Sequence, residues 1–167
     1  HQYVSAGNYV IDLSSEYRYE EDVPLVIPEI NGAELAKLNG PALISNPNCS
    51  TSQLLMVLDS IHQAFNIDIL NIATYQAVSG TGKKAVQELQ TQSNETDSEI
   101  NPEIYPKPIA FNVIPQCDVF LENDFTKEEM KLVWETIKIL DPSISVQATC
   151  ARVPVFNGHS EAVFFRV

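Results

Sequence analysis

Apolar residues along the chain follow two rhythms. Short unbroken runs fall at Tyr9–Leu13 (YVIDL), Val23–Ile27 (VPLVI, punctuated by Pro24 and Pro28) and Ala42–Ser45. Such runs predict short buried strands, of the kind found in a parallel α/β sheet. The rhythm then becomes helical. Leu54, Leu58, Ile61 and Phe65 form one stripe, with Ser50 or Thr51 as the expected cap. Ile67–Val78 predicts a strand ending in Ser79-Gly80-Thr81-Gly82, and Lys83–Gln90 a helix. Thr91–Pro108 is polar and predicts a long loop, and Ala110–Pro115 predicts a strand. A second clear helix is expected over Thr126–Leu140. Thr126 and Glu129 make its capping box, and Met130, Val133, Trp134 and Ile137 its buried face. Ser143–Phe156 is β-rich. Asn157-Gly158 is a strong hairpin signal, so Ser160–Val167 is expected to return beside that strand with Phe156 opposite His159. The order predicts an α/β and α+β chain: the end of a doubly wound domain, joined near Asn46 to an α+β domain.

Composition narrows the partners. Ten Lys and Arg against 22 Asp and Glu give a net charge of −12 over 167 residues. An acidic chain is a poor partner for nucleic acid or an anionic membrane. No apolar run approaches the ~20 residues of a membrane span. Three cysteines without metal spacing read as reduced thiols in a cytoplasmic protein, with no metal site expected. The chain opens at His1 without an initiator Met, directly in structured sequence. The expectation is a start partway through a longer protein.

Several residues carry candidate chemistry. Cys49 lies between Asn46-Pro47-Asn48 and a capped helix. Helix-start N–H groups and the helix dipole favour a thiolate and could meet an oxyanion. The alternative is a small buried hydrophobe. Gln76 stands at a strand end, where α/β sites gather, or is merely a solvated strand-end residue. Ser79, Gly80 and Gly82 could bring backbone N–H groups to a phosphate or a nicotinamide, or form a plain strand-to-helix loop. Arg152 and His159 flank the Asn157-Gly158 turn and would share a face of the expected hairpin. Arg suits a carboxylate fork and His a proton near neutral pH; the alternative is a surface Arg and a turn His. Glu128 and Lys131, three apart, otherwise read as a solvated ion pair. Arg18 either binds an anion or is simply exposed.

Five segments in this order carry a family resemblance: SNPNCSTSQ (45–53), TYQAVSGTGKKAVQEL (74–89), IAFNVIPQCDVF (109–120), TKEEMKLVWETIKIL (126–140) and ARVPVFNGHSEAVF (151–164). Together they resemble aspartate-β-semialdehyde dehydrogenases, and YVIDLSSEYRYEEDVPLVIPEIN upstream fits the same family. N-acetyl-glutamyl-phosphate reductases are the nearest relatives, but there the nucleophile motif resembles Asn-Pro-Gly-Cys rather than Asn-Pro-Asn-Cys.

The resemblance implies an NADP(H)-dependent, metal-free oxidoreductase. It would interconvert aspartyl phosphate and aspartate semialdehyde plus phosphate, in lysine, threonine and methionine biosynthesis. Cys49 matches the nucleophile, Gln76 the residue orienting the intermediate, and His159 the acid/base. Arg152 matches the clamp on the substrate carboxylate, Glu128 the partner of its amino group, and Lys131 with Arg18 the phosphate site. Asn48 falls in the substrate-binding set, and Ser79, Gly80 and Gly82 match the loop beside the nicotinamide. The implied fold is the last strands of an NADP-binding domain over residues 1–47. A catalytic and dimerisation domain resembling that of glyceraldehyde-3-phosphate dehydrogenase, with a mixed or antiparallel sheet, follows over 48–167. A homodimer or homotetramer is implied. The Gly-rich pyrophosphate loop and long C-terminal helix of the family are not among these residues, so the chain reads as the middle of the enzyme. A non-catalytic dimerisation module is the other reading, although Cys49, Gln76, Arg152 and His159 are all present.

Overall fold

The computed structural model describes residues 2–94 and 101–167. They divide into two compact units. The first comprises residues 2–70, 131–146 and 165–167; the second comprises 71–94, 101–130 and 147–164.

The first unit opens with α1 (Gln2–Ser5) and β1 (Val10–Asp12), followed by α2 (Pro28–Asn31), a 3-10 segment over Gly32–Lys37, β2 (Leu43–Ser45) and α3 (Cys49–Phe65). β1 and β2 pair in parallel, with Val10 opposite Leu43 and Asp12 opposite Ser45. The extended 23–27 segment lies along the other side of β2. Leu25 bridges Ser45, and the Val26 N–H donates to the Ser45 carbonyl at 3.1 Å. The apolar runs thus form a small parallel arrangement whose β2 feeds directly into Asn46-Pro47-Asn48 and α3. The stripe expected on α3 is shorter than its periodicity suggested. Leu54, Leu55 and Leu58 are buried, whereas Phe65 is exposed at the helix end.

Most of the second unit is built on β3 (Ile69–Gln76), α4 (Lys83–Asn94), β4 (Ser145–Arg152) and β5 (Ser160–Arg166). Part of the expected 91–108 loop lies outside the described residues. Of the rest, α4 takes up residues 91–94, and 101–108 form no regular element. A core of Val78, Ala85, Leu89, Ile109 and Ile114 holds α4 against the turn after β3. Ala110–Pro115 is not a strand. It contributes one antiparallel bridge, Ile114 to Arg152, and Phe111 turns outward with φ 59°.

The expected hairpin is absent. The strands run in the order β4-β3-β5, so Asn157-Gly158 joins strands on opposite sides of β3 and Phe156 has no ladder partner in His159. β4 runs parallel to β3: the Ser145 N–H reaches the Asp68 carbonyl (2.9 Å), and eight residues later the Val153 N–H reaches that of Gln76 (3.0 Å). β5 comes back antiparallel, its Arg166 carbonyl accepting from the Asp68 N–H at 3.0 Å. Turn chemistry specifies a bend but not which strand fills the space beside it.

The remaining element, α5 (Lys127–Ile139), gives its first turn to the second unit and the rest to the first. Its capping box forms as expected: the Thr126 N–H donates to the Glu129 carboxylate at 2.7 Å, and the Glu129 N–H to the Thr126 hydroxyl at 3.3 Å. Its buried face is not the expected one. Glu128, Glu129, Leu132, Glu135, Thr136 and Ile139 are buried, while Trp134 is 37% exposed and meets Tyr19 edge-on at 5.1 Å. Four of those six residues are polar, so an apolar stripe could not reveal the face.

Candidate functional site

In the first unit, Cys49 is the first residue of α3. Asn48, not Ser50 or Thr51, caps the helix: its backbone is extended (φ −60°, ψ 149°) and its side-chain oxygen accepts the Ser50 N–H at 2.8 Å. Asn caps as well as Ser or Thr, and Pro47 sets the chain direction just before it. The Asn48 carbonyl takes the Ser52 N–H (2.9 Å) and hydroxyl (3.0 Å). The Cys49 thiol is exposed. The buried-hydrophobe alternative for Cys49 therefore falls.

The peptide before that thiol is pinned from a distance. The Asn48 N–H donates at 2.7 Å to the Glu135 carboxylate, which is fully buried on α5. The other oxygen of Glu135 accepts from the Arg18 guanidinium at 2.9 Å and the Tyr19 hydroxyl at 3.3 Å. Arg18 is consequently buried, against the expectation that it would be exposed unless it bound an anion. Its Nε has no protein partner, so one donor of the fork is uncommitted. One turn along α5, Lys138 donates to the carbonyls of Arg18 (2.8 Å), Glu20 (2.7 Å) and Val23 (3.0 Å), fixing the loop that carries Arg18. Lys131 lies half-buried on the same helix.

In the second unit the chemistry gathers where β3 ends. Gln76 is buried, not a solvated strand end; its amide donates to the Glu128 carboxylate at 3.1 Å and to the Thr74 hydroxyl at 3.3 Å. Glu128 is itself buried rather than solvated. The next residue, Ala77, is wholly buried, and its own N–H and carbonyl hold the other candidates. Its N–H donates to His159 Nδ1 at 3.0 Å, and its carbonyl accepts from Arg152 Nη1 at 2.7 Å. Arg152 ends β4 and His159 precedes β5, so the β4-β3-β5 order delivers both to one residue, Ala77. They meet as expected, but by flanking a central strand rather than by sharing a hairpin face. Burial lowers the His159 pKa, and the Arg152 cation lowers it further, against an upward pull from Glu128.

The Ser79–Gly82 turn closes this end of the unit. Its N–H groups are spent inside the protein: Ser79 on Phe156, Gly80 on Ala77, Thr81 on Val78 and Gly82 on Ser79. No N–H of the turn is left for a phosphate, which overturns that half of the expectation. Gly82, at φ 112°, has open space where a side chain would begin. Gly80 is tight instead: a Cβ there would lie 3.0 Å from two His159 ring atoms and 3.3 Å from Arg152 Nη1.

Glu135 and the Ala77 peptide were not legible as site elements. A backbone group has no sequence signal. Glu135 had one, since it shares a helix face with Leu132, Thr136 and Ile139, but the rival stripe of Met130, Val133 and Ile137 is more apolar. Cys117 and Cys150 are buried, as expected of core residues. Burial raises their pKa to about 11 and about 12 respectively. Among the described residues, no group of three or more His, Cys, Asp or Glu is placed to hold a metal, and no helix is long and apolar enough to cross a membrane.

Comparison with known proteins gives the family of the chain. Residues 58–167 match the semialdehyde dehydrogenase dimerisation domain, and residues 1–38 match the semialdehyde dehydrogenase NAD binding domain. The chain is 53% identical over 161 residues to an aspartate-semialdehyde dehydrogenase of a Shewanella species, covering 95% of this chain and 48% of that protein. It superposes on the Vibrio cholerae aspartate semialdehyde dehydrogenase II complexed with ASA with a TM-score of 0.90 at 49% identity, covering 97% of this chain and 49% of that one. The Candida albicans enzyme, whose structure contains NADP, gives 0.67 at 29% identity, covering 98% of this chain and 45% of that one. The chain spans about half the length of the curated relatives it matches. The chain belongs to the aspartate-semialdehyde dehydrogenase family.

Proposed function

We propose that these residues serve the reversible, NADP(H)-dependent reductive dephosphorylation of L-4-aspartyl phosphate to L-aspartate 4-semialdehyde, through a thioester on Cys49. The observation that carries the reading is an exposed thiol at the first position of a 17-residue helix, on a peptide pinned by a buried carboxylate. Helix-start N–H groups suit a carbonyl oxygen that becomes negative during acyl transfer. Cys49 attacks the acyl carbon; the carbon–oxygen bond to phosphate breaks, and phosphate leaves with the proton that the overall reaction consumes. Arg18, through its uncommitted Nε, and Lys131 attract the phosphate. Ser79, Gly80 and Gly82 would lie beside a nicotinamide, whose chemistry would be the supply of hydride. Arg152 grips the substrate α-carboxylate, with its own Nε lacking a protein partner. Glu128 takes the amino group, Asn48 and Gln76 orient the acyl group, and His159 serves the oxygen at the reacting carbon.

Residues 1–47 would complete an NADP-binding domain and 48–167 a catalytic and dimerisation domain. The assembly would be a homodimer or homotetramer in the cytoplasm. These readings are supported by the two family-model matches and by the ASA and NADP held by the relatives.

The test is to supply aspartyl phosphate without nicotinamide cofactor, quench in acid and map the peptides by mass spectrometry. An aspartyl adduct on the Cys49 peptide, absent in Cys49→Ala, is expected. An adduct elsewhere, or phosphate release with no adduct, contradicts the reading.

A further inference from the structure

We infer that Glu129 is a positioning residue: its buried carboxylate ties the start of α5 to β4 and so sets the spacing between Glu128 and Arg152, on which selection of an α-amino acid end depends. The inference rests on the reading above, in which Glu128 takes the amino group and Arg152 the α-carboxylate, and deepens it.

The free edge of β4 shows why a tie is needed. β4 is an outer strand of the β4-β3-β5 order. Its odd-numbered residues pair inward, the Ser145 and Val153 N–H groups donating to the Asp68 and Gln76 carbonyls. The even-numbered ones therefore face the edge. Arg152 meets Ile114 there, donating at 2.8 Å and accepting at 3.0 Å. Continuing that antiparallel register would bring Gln116 opposite Cys150. The Gln116 N–H donates instead to the Ile114 carbonyl at 2.8 Å, and the chain turns away. Cys150 is wholly buried, so its N–H needs an acceptor from elsewhere. The Glu129 carboxylate supplies it at 3.0 Å.

A capping box accounts for only half of Glu129. Its Oε2 accepts the Thr126 N–H at 2.7 Å and the Thr126 hydroxyl at 2.8 Å, which closes the helix start. A glutamine could do as much. The other oxygen, Oε1, is the one that reaches β4. A carboxamide would turn its NH2 group toward either the Thr126 or the Cys150 N–H, so two backbone donors on opposite oxygens call for a carboxylate.

The tie lies among the groups that would seat the substrate, all in the second unit. Glu128, the adjoining residue, meets the Gln76 amide at the end of β3 at 3.1 Å. Arg152 lies two residues beyond Cys150, on the same face of β4, with its guanidinium on the Ala77 carbonyl at 2.7 Å. Glu129 is thus the chain neighbour of one group and, through the Cys150 N–H, two residues from the other. An α-amino acid carries its ammonium and carboxylate on one carbon. Their receptors must keep one short spacing, and small misplacements are costly.

The test compares two phosphonate analogues of aspartyl phosphate, with and without the α-amino group, by titration calorimetry. The ratio of their Kd values reports the amino-group contact, because the rest of the two ligands is shared. The unaltered protein should prefer the amino analogue by about 10- to 100-fold, the worth of a charge-assisted hydrogen bond, and Glu129→Gln should cut that preference about tenfold. Thr126→Val is the control. It removes the cap hydroxyl and weakens the helix start but leaves both backbone N–H groups on Glu129, so its preference should be unchanged. If E129Q does not fold, Glu129→Asp, a methylene too short to span both partners, takes its place with the same expectation. An undiminished preference in the Glu129 variant, or an equal fall in T126V, overturns the inference alone. No preference in the unaltered protein overturns the reading of Glu128 as the amino-group partner, and this inference with it.

Discussion

The start of α3 and the end of β3 are built in opposite senses. At α3 a side chain holds backbone: the buried Glu135 carboxylate fixes the Asn48 peptide, and Cys49 follows from it. At β3 backbone holds side chains: Ala77 fixes His159 through its N–H and Arg152 through its carbonyl. A thiol on the first turn of a helix needs only its peptide placed, because the short side chain has little freedom left. A long guanidinium and a rotating imidazole must be tied at their far ends. The two designs should therefore fail differently, the first through stability and the second through geometry.

Breaking the first design gives the largest expected effect. Glu135→Ala takes the counter-charge from a buried guanidinium and the carboxylate acceptor from a buried N–H, and should cost about 3–5 kcal/mol in urea unfolding. Glu135→Gln retains an oxygen for one donor and should cost less.

Breaking the second should spare stability and hit turnover. Arg152→Lys replaces a planar fork with a point charge. It should lower kcat/KM by about 10- to 100-fold, the worth of a charge-assisted hydrogen bond. A full-activity R152K enzyme would remove Arg152 from the carboxylate-clamp role.

Gly80→Ala sharpens the contrast further. Its methyl must push His159 and Arg152 aside by a few tenths of an ångström, and about tenfold in kcat is expected with little change in unfolding. An unchanged kcat would mean that the seat tolerates movement.

The smallest effect is a pH dependence. The folded pKa of His159 lies below its ordinary value, so the unfolded chain binds the proton more readily. The contribution of His159 to stability is therefore intact above about pH 6.5 and declines as pH falls from there towards the folded pKa. His159→Gln should remove that part of the slope.

The same contrast explains what the sequence disclosed. Asn-Pro-Asn-Cys and a helical stripe are local, so the placement of Cys49 at a helix start was readable, though the cap itself shifted to Asn48. The meeting of Arg152 and His159 depends on β3 inserting between β4 and β5. That is a long-range fact, and Asn157-Gly158 spoke for a hairpin instead. The face of α5 was hidden for a related reason. Glu128 and Glu135 are buried because Gln76, Arg18 and the Asn48 peptide neutralise or satisfy them, and those partners lie 52, 117 and 87 residues away. Sequence periodicity counts apolar residues and is blind to carboxylates buried by partnership.

Cysteine-resolved alkylation tests the role of Cys49 most directly. Labelling at pH 7 would be followed by peptide mass spectrometry, with and without a phosphonate analogue of aspartyl phosphate. Cys117 and Cys150 are buried, with thiols pushed up to about 11 and about 12, so almost none of either is thiolate at that pH. Rapid labelling at Cys49 alone, suppressed by the analogue, is the expected result. Similar rates at all three cysteines, or no protection of Cys49, would contradict its presentation as the nucleophile.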